Sequence, residues 1–143
     1  MITGVRHTGI VVQDIQGALK FWVNLFGAKV LVDQVEAGNF ISSLLGLNDV
    51  SVRTVKLDVG RESIIELLNF NSHASDSFWE GSPHTTGLTH IALNVVDIQA
   101  LTVSLEAAGY RQVNQFSKDP LGKVKVCYVK GFEGLLLELV QTL

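Results

Sequence analysis

β-Branched and apolar residues dominate Val5 to Val12. Apolar positions then recur three and four residues apart at Ile15, Leu19, Trp22, Leu25 and Phe26. A strand followed by a helix is the prediction, with Asp14 as the N-cap and Gly27 as the C-terminal stop. AKVLVDQV reads as the next strand. SVRTVKLDV and SIIELLNF read as a hairpin around Gly60 and Arg61. The same order returns further on. THIALNVV is strand-like, Asp97 caps the helical run IQALTVSLEAAG with Gly109 at its end, YRQVNQF is strand-like, and VKVCYVK and GLLLELVQ flank the turn GFEG. Each half is a βαβββ unit.

The letters repeat as well as the pattern. GVRHTGIVVQDIQ and GLTHIALNVVDIQ align with His7 and His90 83 residues apart, and the same offset carries Asp14 onto Asp97, Ile15 onto Ile98 and Gln16 onto Gln99. The polar run NFNSHASDSFWEGSPHTTG, with one of the two prolines, separates the halves. Module 1 is therefore expected at about residues 4–70, a linker at about 71–86 and module 2 at about 87–143, all in one domain. The first half alone inserts EAGNFISSLLGLND, where Phe40, Ile41, Leu44, Leu45 and Leu47 make a short apolar helical face. Additional core is the expectation, with a lid as the alternative.

Composition narrows the class. With 47% apolar residues in 143 the chain can bury a core, and a net charge of -3 with 11 Lys+Arg scattered singly gives no phosphate-tracking stripe. Nucleic acid is not an expected partner. The start of the chain has no signal pattern, and no apolar run reaches the roughly 18 residues of a membrane span. A soluble, cytoplasmic protein without membrane contact is predicted. Cys127, the one cysteine, lies in an apolar run and reads as a small buried hydrophobe.

Strand alternation places His7 on the face of Val5, Gly9 and Val11, and His90 with Leu88, Ala92 and Asn94. Both face away from the helices, toward whatever the curved sheet encloses. Glu66 sits within SIIELLNF and Glu138 within LLLELVQ, each a lone carboxylate in a strand apolar on both faces, with no Lys or Arg in its own run. A buried carboxylate must neutralise, find a cation or bind a metal. Two imidazoles and two carboxylates make an N2O2 set suited to one divalent ion, with Zn, Ni, Co, Mn or Fe all acceptable. His73 and His84 fall in the polar linker and read as solvated loop residues.

HTGIVVQDIQGALKFWVNLFG, THIALNVVDIQ and GFEGLLLELVQ resemble the two strand-helix openings and the terminal hairpin of the vicinal oxygen chelate superfamily. That family contains glyoxalase I, methylmalonyl-CoA epimerase, fosfomycin-resistance enzymes, extradiol dioxygenases and bleomycin-resistance proteins. The resemblance spans essentially the whole chain and implies an α+β fold: two tandem βαβββ modules forming a cup-like mixed sheet with helices on the outer face. It puts the metal ligands on His7, Glu66, His90 and Glu138 and implies a homodimer acting on a small molecule. It further implies a glyoxalase-like lyase or isomerase, or an epimerase, that abstracts a proton alpha to a carbonyl and stabilises an enediolate on the metal. Glu138 is the expected base, with Glu66 as ligand and second catalytic carboxylate. A dioxygenase or fosfomycin-type transferase, which use two histidines and one carboxylate, is an alternative, as is a metal-free antibiotic-binding protein. Val11 stands where bacterial glyoxalase I carries an arginine for glutathione, which argues against that co-substrate. Lys20, Arg53, Lys56 and Arg111 are the candidates for holding coenzyme A phosphates.

Overall fold

The computed structural model describes residues 1–75, 77–80 and 82–143. Residues 76 and 81 of the expected linker lie outside the described residues. The chain divides into two compact units, Met1–Asp76 and Ser77–Leu143.

In the first unit, β1 (Thr8–Val11), β2 (Lys29–Ala37), β3 (Ser51–Asp58) and β4 (Ile64–Phe70) form a sheet in the order β1-β4-β3-β2. β1 runs parallel to β4, and the other pairs are antiparallel. The Asp14 carboxylate accepts the Gly17 N–H at 2.9 Å and starts α1 (Ile15–Leu19). The helix then widens into a π-helical segment over Lys20–Leu25, where a regular α-helix was expected. The aromatic residues give the reason: a wider turn brings residues five apart onto one face. Phe21 and Phe26 stand 5.1 Å apart and Trp22 and Phe26 5.4 Å apart, so all three rings share one cluster. Gly27, at φ 70, ends the segment with its N–H on Val23 O. α1 packs on β4. Ile65 and Leu67 of β4, with Val55 and Leu57 of β3, are fully buried, whereas Ile64, Glu66 and Leu68 on the other face of β4 are only half-buried.

The second unit repeats this plan. β5 (Ile91–Asn94), β6 (Arg111–Gln112), β7 (Ser117–Lys118), β8 (Val124–Lys130) and β9 (Leu136–Thr142) form a sheet in the order β5-β9-β8-β6, with β7 also on β8. Two N–H groups, of Gln99 and Ala100, converge on the Asp97 carboxylate at the start of α3 (Ile98–Ala107). Ile98, Thr102 and Leu105 are buried, as are Cys127, Val129, Leu137 and Leu139 of the sheet. Burial pushes the Cys127 thiol up to about 11, in keeping with an inert hydrophobe.

Three further sequence expectations need correction. The opening strands, read as Val5–Val12 and Thr89–Val96, are shorter: the ladders run from Thr8↔Ile65 to Val11↔Leu68 and from Ile91↔Leu137 to Asn94↔Val140, and the residues on either side lie outside the paired segments. The expected strand YRQVNQF splits into β6 and β7. Asn114 causes the break: its Oδ1 accepts the Tyr128 N–H at 2.8 Å in place of a backbone carbonyl. The insertion does form a helix, α2 (Asn39–Leu45), but it is not additional core. Ile41 alone of its apolar face is buried, against Val50, Val52, Leu68 and Phe70, while Phe40 and Leu44 are 78% and 66% exposed.

Candidate metal centre

The parallel pairing of the opening and final strands builds one histidine–carboxylate pair in each unit. Gly9 lies beside Glu66 and Ala92 beside Glu138. Each histidine stands two residues before that register point, on the same face as the carboxylate. His7 Nε2 is 3.1 Å from Glu66 Oε2, and His90 Nε2 is 3.2 Å from Glu138 Oε2. The four expected residues thus come together as two pairs, one in each unit. Among the described residues, no group of three or more histidine, cysteine or acidic side chains is assembled.

The donors fit a metal. Ligands at about 2.1 Å from a metal, held at right angles, sit about 3.0 Å from each other, close to the spacing within each pair. Each pair also offers a neutral-capable imidazole nitrogen and a carboxylate oxygen, the N/O donors that divalent transition metals accept. His90 is further oriented. Thr89 Oγ1 lies 2.9 Å from His90 Nδ1, which leaves Nε2 directed at Glu138.

Two neighbours escaped the sequence reading. Glu66 is not without a cation: Lys56, directly across on β3, puts Nζ 3.4 Å from Glu66 Oε1. Tyr128, directly across from Glu138 on β8, stands 3.5 Å from His90 Nε2 through its hydroxyl and packs edge-on against the imidazole at 5.2 Å. Burial, then the negative charge of Glu138 and a hydrogen bond to it, raise the Tyr128 phenol above its ordinary value. A sequence signal existed. Glu66 to Glu138 and Lys56 to Tyr128 share one offset of 72 residues, so aligning the last hairpins of the two halves puts both neighbours opposite the carboxylates. The other expected bystanders are loop residues: His73 contacts Ser72 and the exposed His84 contacts Ser82 through Nδ1.

Residues 6–128 match the model of the Glyoxalase/Bleomycin resistance protein/Dioxygenase superfamily. The chain belongs to this superfamily. Its fold is that of the vicinal oxygen chelate proteins, α+β with two mixed sheets and, among the described residues, three α-helices. The chain superposes on a glyoxalase family protein from Bacillus cereus with a TM-score of 0.92, at 21% identity over 100% of this chain and 96% of that one. It is 24% identical to a probable lactoylglutathione lyase of Vibrio parahaemolyticus, over 96% of this chain and 89% of the relative. A variant of the fosfomycin resistance protein FosX from Listeria monocytogenes, solved with Mn(II) and 1S,2S-dihydroxypropylphosphonic acid, shares the fold at a TM-score of 0.64 and 18% identity, over 97% of this chain and 90% of that one. Among the described residues, no helix is long and apolar enough to cross a membrane.

Proposed function

We propose that His7, Glu66, His90 and Glu138 hold one divalent metal ion, and that the protein is a glyoxalase-like lyase or isomerase, or an epimerase, which moves a proton alpha to a carbonyl. The observation that carries this reading is the matched spacing of the two histidine–carboxylate pairs, 3.1 and 3.2 Å, at equivalent points of two equivalent modules. The ion, one of Zn, Ni, Co, Mn or Fe, supplies Lewis-acid stabilisation of negative charge developing on substrate oxygens. Residues 1–143 then act as one vicinal-oxygen-chelate domain, with both modules contributing to the site, from one chain or from two chains of a homodimer. The exposed apolar residues Val35, Phe40 and Leu44 on β2 and α2 support such an association.

The two carboxylates take different roles. Glu66, the more buried of the two carboxylates, with His7 on one oxygen, takes the part of a ligand. Glu138 is the more exposed, 25% against 13% for the side chain, and is the base that takes and returns the substrate proton. Glutathione is not favoured, since the exposed Val11 offers its carboxylates no charge. Of the candidate phosphate cations for coenzyme A, Arg53 is already held in a two-point ion pair by Asp33, at 2.8 and 2.7 Å.

The test is to measure bound metal in the purified protein and to follow solvent deuterium entering 2-oxo thioesters, hemithioacetals and 2-hydroxycarbonyl compounds. One equivalent of metal and exchange into one of these classes is the expected result. Absence of metal binding, or unchanged metal affinity in Glu66→Ala and Glu138→Ala, overturns the reading. Oxygen uptake with Fe(II) and a catechol would replace it with a dioxygenase.

A further inference from the structure

We infer that Lys56 is a specificity-determining residue that selects substrates bearing a carboxylate beside the atoms that reach the metal. The inference deepens the metal-dependent reading above and rests on it. Its basis is the placement of an ammonium group 3.4 Å from Glu66 Oε1, while His7 occupies Oε2 of the same carboxylate at 3.1 Å.

Three observations support it. First, the cross-strand register Lys56↔Glu66 is part of an unbroken antiparallel ladder, so the ammonium is delivered to this face by the sheet and not by a mobile loop. Second, a divalent ion held by His7 and Glu66 would draw on the Glu66 charge, and the ammonium beside that carboxylate would then lack a full counter-charge. A substrate anion is the group that balances it at short range. Third, the equivalent position in the second module is the neutral Tyr128, so the repeat does not need a cation there to hold its carboxylate. Lys56 is 33% exposed by side chain, which leaves the ammonium reachable from solvent.

The test uses full-length protein loaded with Co(II) and two probes that chelate through the same hydroxamate: acetohydroxamic acid, and succinic acid monohydroxamate, which adds a free carboxylate. Calorimetry on the wild type should show the carboxylate-bearing probe binding roughly tenfold more tightly. Lys56→Met should remove that preference while leaving acetohydroxamate and Co(II) affinity within about twofold, and Lys56→Arg should keep it. Lys56→Gln serves in place of Lys56→Met if circular dichroism shows the latter misfolded. Equal preference in wild type and Lys56→Met overturns the inference. So does a loss of Co(II) and of both probes together, which would make Lys56 a positioning group for Glu66. Failure of the wild type to bind Co(II) overturns the metal reading and this inference with it, whereas metal binding without a carboxylate preference overturns this inference alone.

Discussion

The two modules present the same pair of side chains and back it with different chemistry. In the first, an ammonium stands across the ladder from the carboxylate; in the second, a phenol does. The backbone explains what was kept. A parallel opening strand and an antiparallel hairpin fix which residues lie side by side, so His7 meets Glu66 and His90 meets Glu138 whatever else changes. The cross-strand neighbour is free to vary because it contributes no ladder bond through its side chain. A repeated fold can thus keep a matched histidine–carboxylate pair in each half while the two carboxylates acquire unlike surroundings.

The largest expected effect follows from the proposed roles of Glu138 as base and Glu66 as ligand. Glu138→Gln should lower solvent-deuterium exchange into the substrate by about 10²–10⁴-fold, the range lost with a general base. Glu66→Gln should act chiefly on metal affinity, with a smaller fall in exchange at saturating metal. Exchange rates and metal titrations of the two variants decide the matter, and equal losses of exchange would erase the distinction between the halves. Next in size is Thr89→Val. It removes the hydroxyl 2.9 Å from His90 Nδ1 and should weaken metal binding about tenfold through the lost orientation of the ring. Competition with a chromophoric chelator measures this, and an unchanged affinity would show that the ring is held by its packing on Tyr128 instead.

A third contrast lies in the helices. Asp97→Ala removes the acceptor for two N–H groups at the start of α3 and should destabilise the protein by about 1 kcal/mol, read from urea unfolding. A change of under a few tenths would mean that packing of Ile98, Thr102 and Leu105 alone sets the helix start.

Much of this was legible in the sequence because it depends on local rules. The two caps, the stop at Gly27, the hairpin at Gly60 and Arg61 and both histidine–carboxylate pairings rest on short-range patterns and on a repeat that the chain spells out. The remainder depends on what meets across the sheet. Lys56 and Tyr128 matter only through the register with Glu66 and Glu138, which a strand read alone does not reveal. The π-helical widening at Lys20–Leu25 answers to three aromatic rings packing together, a tertiary demand on a segment whose apolar spacing reads as α-helix. The face of α2 looked like core by its apolar content, but only Ile41 finds the pocket formed by Val50, Val52, Leu68 and Phe70.

The smallest effect at neutral pH tests the two modules at a buried position away from the donors. The 72-residue offset sets Cys127 against Val55, and both are fully buried. The thiol titrates at about 11 in the folded protein against an ordinary value of 9.0, because burial disfavours the thiolate. A folded-state value above the unfolded one means that the neutral thiol favours the native state. That contribution is complete below about pH 9 and is lost progressively as the pH climbs from 9 toward 11. Cys127→Val, which substitutes the first module's side chain at nearly the same volume, should therefore leave stability at pH 7 almost unchanged while flattening the decline between pH 9 and 11. Denaturant unfolding of wild type and variant at a series of pH values tests this. Parallel curves would assign the alkaline loss to other groups and leave the two buried positions interchangeable.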